Sequence, residues 1–242
     1  MPTTPDKKIA FVAGATGYTG SALVPLLIDA GWAVYAHVRP DSPSLDAWVE
    51  NFEAHGAFVD TTPWDEAAVR QRFECIKPNA IFALLGTTKK RAKSPTSAIE
   101  DTYMAVDYGL TALLRRAAED AAPSARFVYL SALGVSPNSR SGYVRARAKL
   151  EAELREGDLD YTIIRPAIIA GDREDSRKGE EFGAAAVAGV VAGLRLVGAR
   201  RAAANFRTRS GHELAQNCLD AALRAPNRSE LSGAALDALA QR

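Results

Sequence analysis

The fold of this chain is decided by Gly14-Ala-Thr-Gly17-Tyr-Thr-Gly20, which follows the apolar run Ile9-Ala-Phe-Val-Ala13 and leads into Ser21-Ala-Leu-Val-Pro-Leu-Leu-Ile28. This order predicts a buried strand, a glycine turn and an amphipathic helix. In such a turn the first glycine makes the tight bend, the second lets backbone approach a phosphate, and the third lets the helix pack on the strand. Backbone N–H groups at the positive end of the helix dipole then attract a pyrophosphate. The residues expected along the phosphates are Gly14, Thr16, Gly17, Tyr18, Thr19 and Gly20.

The spacing of the glycines is G-x-x-G-x-x-G rather than the G-x-G-x-x-G of the common dinucleotide fingerprint, so the motif alone is only moderately specific. A glycine-rich turn without a ligand is the alternative interpretation. The position of the turn between a strand and a helix favours the dinucleotide site.

Composition indicates one domain of ordinary size. The 242 residues are 47% apolar and 24% charged, so we expect a single domain, 1–242, in which residues from about 167 onward form a small substrate-covering lobe. The 30 basic and 29 acidic residues leave a net charge of +1 without a basic stripe. We therefore expect neither a nucleic acid nor a membrane surface as partner, and the oligomeric state is left open.

Cysteine usage and hydropathy suggest a cellular location. Cys75 and Cys218 lie far apart and beside no metal-binding pattern, which predicts reduced thiols in a cytoplasmic protein. The first residues lack the apolar core of a signal peptide, and no apolar run reaches the roughly 18 residues of a membrane span.

Strand and helix patterns alternate along the chain, which predicts an α/β fold with a doubly wound parallel sheet, the Rossmann fold. Predicted helices connect the strands, including a long one from about 98 to 121 and another from about 142 to 155. The predicted strands are Ile9–Ala13, Ala33–Val38, Ala57–Val59, Ala80–Leu85, Ala125–Leu130 and Tyr161–Ile164. Between the fourth strand and the long helix, a charge run from Lys89 to Lys93 is expected in a solvated loop.

The end of the second strand predicts which nicotinamide cofactor binds. A carboxylate there binds the ribose 2′-hydroxyl of NAD, whereas an arginine accommodates the 2′-phosphate of NADP. This chain has Arg39, whose guanidinium suits a phosphate, and Asp41 is a competing signal two residues later. A merely exposed arginine is the alternative. Asp60, after the third strand, is a candidate acceptor for the adenine amino group, and an ordinary turn aspartate is nearly as plausible.

Two further segments carry candidate catalytic residues. The fifth strand ends in Ser131, at the edge of the sheet where ligands bind, and Tyr143 begins a helix twelve residues later. Helical spacing puts Arg147 on the same face as Tyr143, where a cation lowers the pKa of a phenol and makes it a usable acid or base. A buried tyrosine with an arginine passing it is the alternative.

These residues resemble the atypical short-chain dehydrogenase/reductases, and most closely the branch of the Tat-interacting oxidoreductases and their bacterial relatives. The resemblance covers about residues 8 to 182. Its most specific piece is Asp172-Arg-Glu-Asp-Ser-Arg177 after Arg165-Pro166. It implies an NADP(H)-binding Rossmann domain with a Ser-Tyr-Lys catalytic set, in which Ser131 orients the substrate carbonyl and Tyr143 transfers the proton.

The lysine of that set is where this chain departs, because the position matching it in Tyr-x-x-x-Lys is Arg147. Lys149 is a poor substitute, since it points about 240° around the helix from Tyr143, against about 40° for Arg147. In the family the lysine also holds the nicotinamide ribose. An arginine is longer and planar, so it retains the charge while altering the ribose contact.

The sequence therefore predicts an NADP(H)-binding oxidoreductase that acts on a small carbonyl or alcohol, with Tyr143 as general acid or base, Ser131 on the substrate oxygen and Arg147 as an electrostatic aid. Gly86, Thr87 and Pro166 are expected along the cofactor. Arg173 or Arg177 is expected to cover the cofactor or bind an anionic substrate, and a salt-bridged loop is the alternative. A cofactor-responsive regulatory protein without turnover is the second hypothesis. A nucleotide-sugar epimerase is disfavoured, because few residues follow Pro166.

Overall fold

In the computed structural model of the chain, residues 7–87, 103–170, 207–239 and 241 are described. Seven strands form one parallel sheet, and two more form a separate pair. The strands of the large sheet are β1 (Ile9–Ala13), β2 (Ala33–His37), β3 (Phe58–Asp60), β4 (Ala80–Ala83), β5 (Arg126–Leu130), β6 (Tyr161–Arg165) and β9 (Ser229–Ser232). The separate pair is β7 (Ile168–Ala170) and β8 (Thr208–Ser210).

Helices connect the strands and begin at recognisable signals. Asp65 caps the third helix by accepting the backbone N–H of Ala68, and Ser210 and Glu213 form a capping box at the start of a C-terminal helix. The described helices are α1 (Gly20–Asp29), α2 (Leu45–Ala54), α3 (Glu66–Ile76), a π-helix (Tyr103–Leu110), α4 (Thr111–Ala121), α5 (Gly142–Glu156), α6 (Gly211–Arg224) and α7 (Ala234–Leu239).

The strand order is β3-β2-β1-β4-β5-β6-β9, so the direction of winding reverses between β1 and β4. Side chains alternate across the sheet: Val12 joins the core beneath α1 and α6, whereas Phe11 joins the core beneath α3, α4 and α5. Both faces are therefore covered. In such sheets a ligand binds where the winding reverses, outside the carboxyl ends of the strands.

The predicted doubly wound parallel sheet is confirmed, and all six predicted strands are present within a few residues. The seventh strand was missed because Ser229-Glu-Leu-Ser232 is short and has only one apolar residue, as an edge strand permits. The predicted long helix is a π-helix followed by α4 over its described part. Residues 88–102 and 171–206, with the lysine-rich run, Arg173 and Arg177, lie outside the described residues.

Candidate active site

The glycine turn between β1 and α1 is built by close backbone packing. Gly14 has a φ of +85°, a conformation that glycine adopts without strain, and a Cβ on it would lie 2.8 Å from the carbonyl oxygen of Leu84. A Cβ on Gly20 would overlap the carbonyl oxygen of Gly14. The N–H of Gly17 donates to that same oxygen at 3.0 Å. The predicted roles of the first and third glycines thus have a steric basis.

The start of α1 is suited to an anion. No acidic residue stands in its first turn, and the side chain of Thr19, the N-cap residue, makes no capping hydrogen bond within the described part of the chain. Thr16 and Gly17 are exposed beside it. These features leave the positive end of the helix dipole open to a phosphate.

The C-terminal part of the chain reaches this turn through Tyr18. A Cβ on Gly211, the first residue of α6, would lie 2.6 Å from the ring of Tyr18 and 2.8 Å from its carbonyl oxygen. Helix α6 therefore begins directly against the glycine turn, and sequence analysis did not detect this contact because 193 residues separate Tyr18 and Gly211.

Arg39 lies just beyond the end of β2, where the 2′-phosphate was expected. Its side chain is about one-third exposed and one Nη donates to both carboxylate oxygens of Asp41, at 3.1 and 3.2 Å. The guanidinium is accessible to a phosphate. Arg39 and Asp41, which the sequence presents as competing signals for NADP and NAD, form an ion pair with each other.

Asp60 is buried at the carboxyl end of β3 and both of its oxygens have partners. Oδ1 accepts the N–H of Thr62 at 3.0 Å, and Oδ2 accepts Nε of Arg72. Beside it, burial lowers the pKa of His37, whose Nε2 contacts the carbonyl oxygen of Thr62 at 2.8 Å. The carboxylate of Asp60 already accepts hydrogen bonds from Thr62 and Arg72. Its contact with adenine stays a prediction.

Helix α5 brings Tyr143 and Arg147 together as its spacing predicts. The guanidinium of Arg147 lies over the ring of Tyr143, 4.6 Å from the centroid, and the ring of Tyr103 meets Tyr143 edge-on at 5.6 Å. Burial lowers the pKa of Arg147, but Tyr129, Tyr143 and Asp107 more than offset it, so the pKa is raised above its ordinary value. The arginine is charged and in direct contact with the phenol ring.

The charge of Arg147 is already engaged within the protein. One Nη donates to the carbonyl oxygen of Leu130 and to the hydroxyl of Tyr129, and the other to the carbonyl oxygen of Leu85 and to Asp107. The buried Nε–H of Arg147 has no hydrogen-bond partner among the described residues. The expected contact with the nicotinamide ribose stays a prediction.

Asp107 is a site residue that sequence reasoning missed. It is fully buried on the π-helix, and its Oδ1 accepts Nη2 of Arg147 at 3.0 Å while its Oδ2 accepts the N–H of Thr87 at 3.0 Å. A Cβ on Gly86 would lie 3.3 Å from the same Nη2. The predicted residues Gly86, Thr87 and Arg147 thus meet around this carboxylate. The available signal was a single aspartate in the otherwise uncharged run Tyr103–Leu110.

Ser131 is engaged by a second buried carboxylate that sequence reasoning also missed. Its hydroxyl donates to Oε1 of Glu151 at 2.7 Å, and both residues are almost fully buried. Glu151 also accepts from Arg155 and from Arg165. The expected role of Ser131 toward a substrate oxygen stays a prediction, since its hydroxyl proton is directed at Glu151.

The remaining predicted residue, Pro166, is buried just after β6, and its carbonyl oxygen accepts the N–H of Leu133 at 2.9 Å. This bond fixes the segment that follows Ser131. Deeper in the sheet, burial raises the pKa of Tyr129, so that phenol stays protonated behind Arg147.

A cavity of about 440 Å³ lies elsewhere, between the ends of α4 and α5. It is lined by acidic side chains, among them Glu119 and Glu153, together with Arg115. Because α4 and α5 end just before β5 and β6 begin, this cavity is at the amino ends of the strands and not at the ligand-binding edge.

The described residues were also compared with the requirements of a disulfide, a membrane span and a metal site. Cys75 is exposed and Cys218 is buried, and neither forms a disulfide. None of the described helices is both long and apolar enough to cross a membrane. In the same ranges, no group of three or more His, Cys, Asp or Glu side chains is arranged to hold a metal ion.

Comparison with known proteins gives a family and homologues. The pattern that defines the NAD(P)H-binding family matches residues 14–194. The mitochondrial protein FMP52 of Eremothecium gossypii is 31% identical over 175 residues, 70% of each chain. The mitochondrial protein fmp52 of Aspergillus niger is 35% identical over 104 residues, 43% of this chain and 42% of that protein, so this match spans less than half of the relative's length.

Solved structures share the fold at low sequence identity. A short-chain dehydrogenase/reductase of Serratia marcescens has a TM-score of 0.68 and 16% identity, covering 95% of this chain and 97% of that one. A blue fluorescent protein from a metagenomic library, in complex with NADPH, has a TM-score of 0.62 and 17% identity, covering 93% of this chain and 95% of that one. Both are similar to this chain in fold.

Proposed function

Because the chain belongs to the NAD(P)H-binding family, with a Rossmann-like fold of the dehydrogenase and epimerase type, we propose that it is an NADP(H)-dependent oxidoreductase acting on a small carbonyl or alcohol. The observation that carries the proposal is the placement of Tyr143 under the guanidinium of Arg147. A phenol in contact with a fixed cation is suited to general acid–base chemistry on a carbonyl, because the cation stabilises the phenolate.

The residues of the glycine turn fit a dinucleotide. The open N-terminus of α1 and the glycine backbone would hold the pyrophosphate, Arg39 would bind the 2′-phosphate, and Gly86 and Thr87 would lie along the cofactor. The solved complex of a similar fold with NADPH supports this choice for that protein, and we extend it to this chain. When bound, the nicotinamide supplies or accepts the hydride.

The protein's own part in the reaction falls to α5 and the end of β5. Tyr143 gives a proton to the substrate oxygen during reduction and takes it back during oxidation. Arg147 favours the phenolate through its position over the ring. Ser131 binds the substrate oxygen only after its hydroxyl turns away from Glu151.

The test is the variant Tyr143→Phe, which removes the proton donor and keeps the ring that contacts Tyr103 and Arg147. Affinity for NADPH, titrated by fluorescence, should stay within a few-fold. Turnover with a panel of small carbonyls and alcohols should fall by roughly 10² to 10⁴, the usual contribution of general acid–base catalysis.

The matched control is Tyr108→Phe, because the Tyr108 hydroxyl donates to Glu153, ten residues along α5 from Tyr143. It should leave turnover unchanged. Equal turnover in the parent protein and in Tyr143→Phe would mean that the tyrosine is structural.

A regulatory protein that binds NADP(H) without turnover is the second candidate. It is favoured by the engagement of the candidate catalytic groups, since Ser131 donates to Glu151 and both Nη atoms of Arg147 donate to protein oxygens. Binding of NADPH without turnover of any substrate in the panel would support this candidate over the first.

Several finer points belong to the same proposal. The resemblance to the Tat-interacting branch, a single small-molecule substrate and the absence of a nucleic-acid partner remain predictions. The cytoplasmic location is also a prediction. The fungal relatives are named as mitochondrial proteins, and that location belongs to them.

A further inference from the structure

Asp107 is a fully buried carboxylate, and a buried carboxylate needs hydrogen-bond or ion-pair partners to stay ionised. Its two oxygens face in different directions, toward Arg147 on α5 and toward the backbone N–H of Thr87 after β4. The residue therefore connects the catalytic helix to the segment expected along the cofactor.

Asp107 lies on the π-helix, Tyr103–Leu110. The wider i→i+5 turn is rare and occurs frequently at functional sites. The same helix supplies Tyr103, whose ring contacts Tyr143, and Asp107, whose carboxylate contacts Arg147. One irregular helix thus touches both the proposed general acid, Tyr143, and the arginine beside it.

Gly86 completes the arrangement. A Cβ there would be 3.3 Å from Nη2 of Arg147 and 3.7 Å from Oδ1 of Asp107, so a side chain would press on the ion pair. Because Gly86 has no Cβ, a continuous series of contacts is possible. It runs from the Thr87 N–H to Asp107, from Asp107 to Arg147, and from Arg147 to the ring of Tyr143.

We propose that Asp107 is a positioning residue of this site: it holds Arg147 against Tyr143, balances its charge and ties both to the Gly86–Thr87 backbone. The inference rests on the proposed function for its meaning in catalysis. Two predictions follow from the two contacts of Asp107. Loss of its charge should change the protonation of Tyr143 through Arg147, and it should weaken the hydrogen bond that holds the Thr87 backbone.

The charge effect has a definite sign. Among the described residues, the ring of Tyr143 is contacted by Tyr103 from the π-helix and by Arg147 from α5. Asp107 is paired with that guanidinium, and Tyr129 of β5 lies on it as well. Asp107→Asn removes the negative charge and keeps the shape. The charge of Arg147 is then unbalanced beside the phenol, so Tyr143 should lose its proton at a lower pH than in the parent protein.

The experiment follows tyrosinate absorbance during alkaline titration and requires no turnover. The chain has seven tyrosines, so the contribution of Tyr143 is the difference between each protein and the same protein with Tyr143→Phe. The expected result is an earlier titration of Tyr143 in Asp107→Asn, together with a several-fold weaker affinity for NADPH because the Thr87 N–H loses its charged acceptor.

The double variant Asp107→Asn/Arg147→Gln keeps the test decisive if the single variant fails to fold, because it leaves no unpaired charge. In it, the titration of Tyr143 should lie at or above that of the parent protein. The control is Glu153→Gln, on α5 but bound to Tyr108 and Arg115, which should not move the titration of Tyr143.

Unchanged titration of Tyr143 in Asp107→Asn, or an equal shift in the single and double variants, would overturn the inference. Its failure is distinguishable from failure of the proposed function. Absence of turnover in the parent protein leaves the titration and the NADPH affinity measurable, whereas normal turnover and an unmoved titration would reject Asp107 alone.

Discussion

The glycine turn and the α5 end of the site are built in opposite ways. At the turn, Gly14 and Gly20 bring backbone against backbone, and no acidic side chain stands in the first turn of α1. At the other end, Arg147 and Glu151, one turn apart on α5, each hold a buried charge against partners from other elements. The first region depends on the absence of side chains, and the second depends on the compensation of charge.

The largest effect is expected where a side chain is added to the turn, in Gly20→Ala. The new Cβ would overlap the carbonyl oxygen of Gly14 and lie 2.8 Å from Cα of Ala15, and backbone atoms on both sides leave no room to adjust. We expect a loss of about 3 kcal/mol in the free energy of unfolding, the upper range for overpacking. Urea unfolding measures it, and NADPH affinity should fall in parallel.

Gly31→Ala is the control for this prediction. Gly31 has a φ of +84°, but among the described residues other than its chain neighbours no atom lies within 4 Å of the place of a Cβ, so the change strains the backbone without a clash. It should cost about 1 kcal/mol. Equal losses in the two variants would show that close packing at Gly20 is not what the turn requires.

A smaller effect is expected from the charge-built region, in Glu151→Gln. The change leaves Arg165 and Arg155 without the carboxylate that they share with Ser131, although Glu230 remains as a partner of both arginines. Breaking a fully buried pair costs about 3 to 5 kcal/mol. Because Arg165 is partly exposed and keeps Glu230, we expect about 2 kcal/mol, measured by urea unfolding.

The corresponding surface change, Glu74→Gln, breaks an exposed pair with Arg70 at 3.5 Å. It should cost less than about 0.5 kcal/mol. If the two glutamate variants lost the same stability, burial of charge would not distinguish the α5 region from an ordinary surface.

The two regions also differ in how far sequence predicts them. The glycine turn, the sheet and the pairing of Tyr143 with Arg147 depend on residues a few positions apart, and periodicity or spacing is enough to find them. Asp107 and Glu151 depend on contacts across 40 and 20 residues, to Arg147 and Ser131. A single acidic residue in a helical pattern can be noticed in the sequence, but the pattern does not identify the distant residue that it contacts.

The same reason explains the unpredicted contact between Tyr18 and Gly211. Nothing near Tyr18 in sequence indicates that α6 begins against it, because that approach is set by how α6 packs on α1. Arg39 is an intermediate case. Its position after β2 was predicted from the sequence, whereas its pairing with Asp41, which the sequence analysis treated only as a competing signal, was not.

Apart from the two controls, the smallest effect is expected at Arg39, which lies outside both regions and has a side chain that is about one-third exposed. NADPH should bind more tightly than NADH, and Arg39→Ala should remove most of the difference. The loss of one charged hydrogen bond is about 1.5 kcal/mol at the low end, or roughly tenfold in affinity. We expect this low value because Asp41 already occupies the guanidinium. Fluorescence titration with both cofactors measures it.

The variant Asp41→Asn tests whether Asp41 competes with the 2′-phosphate for the guanidinium of Arg39. Removing the carboxylate charge frees the guanidinium for a phosphate, so NADPH affinity should rise a few-fold while NADH affinity stays the same. Arg39→Ala/Asp41→Asn should then bind both cofactors equally. Equal affinities for NADPH and NADH in the parent protein would reject Arg39 as the selecting residue. A gain for both cofactors in Asp41→Asn would indicate a general electrostatic effect rather than recognition of the 2′-phosphate, because only NADPH carries that group.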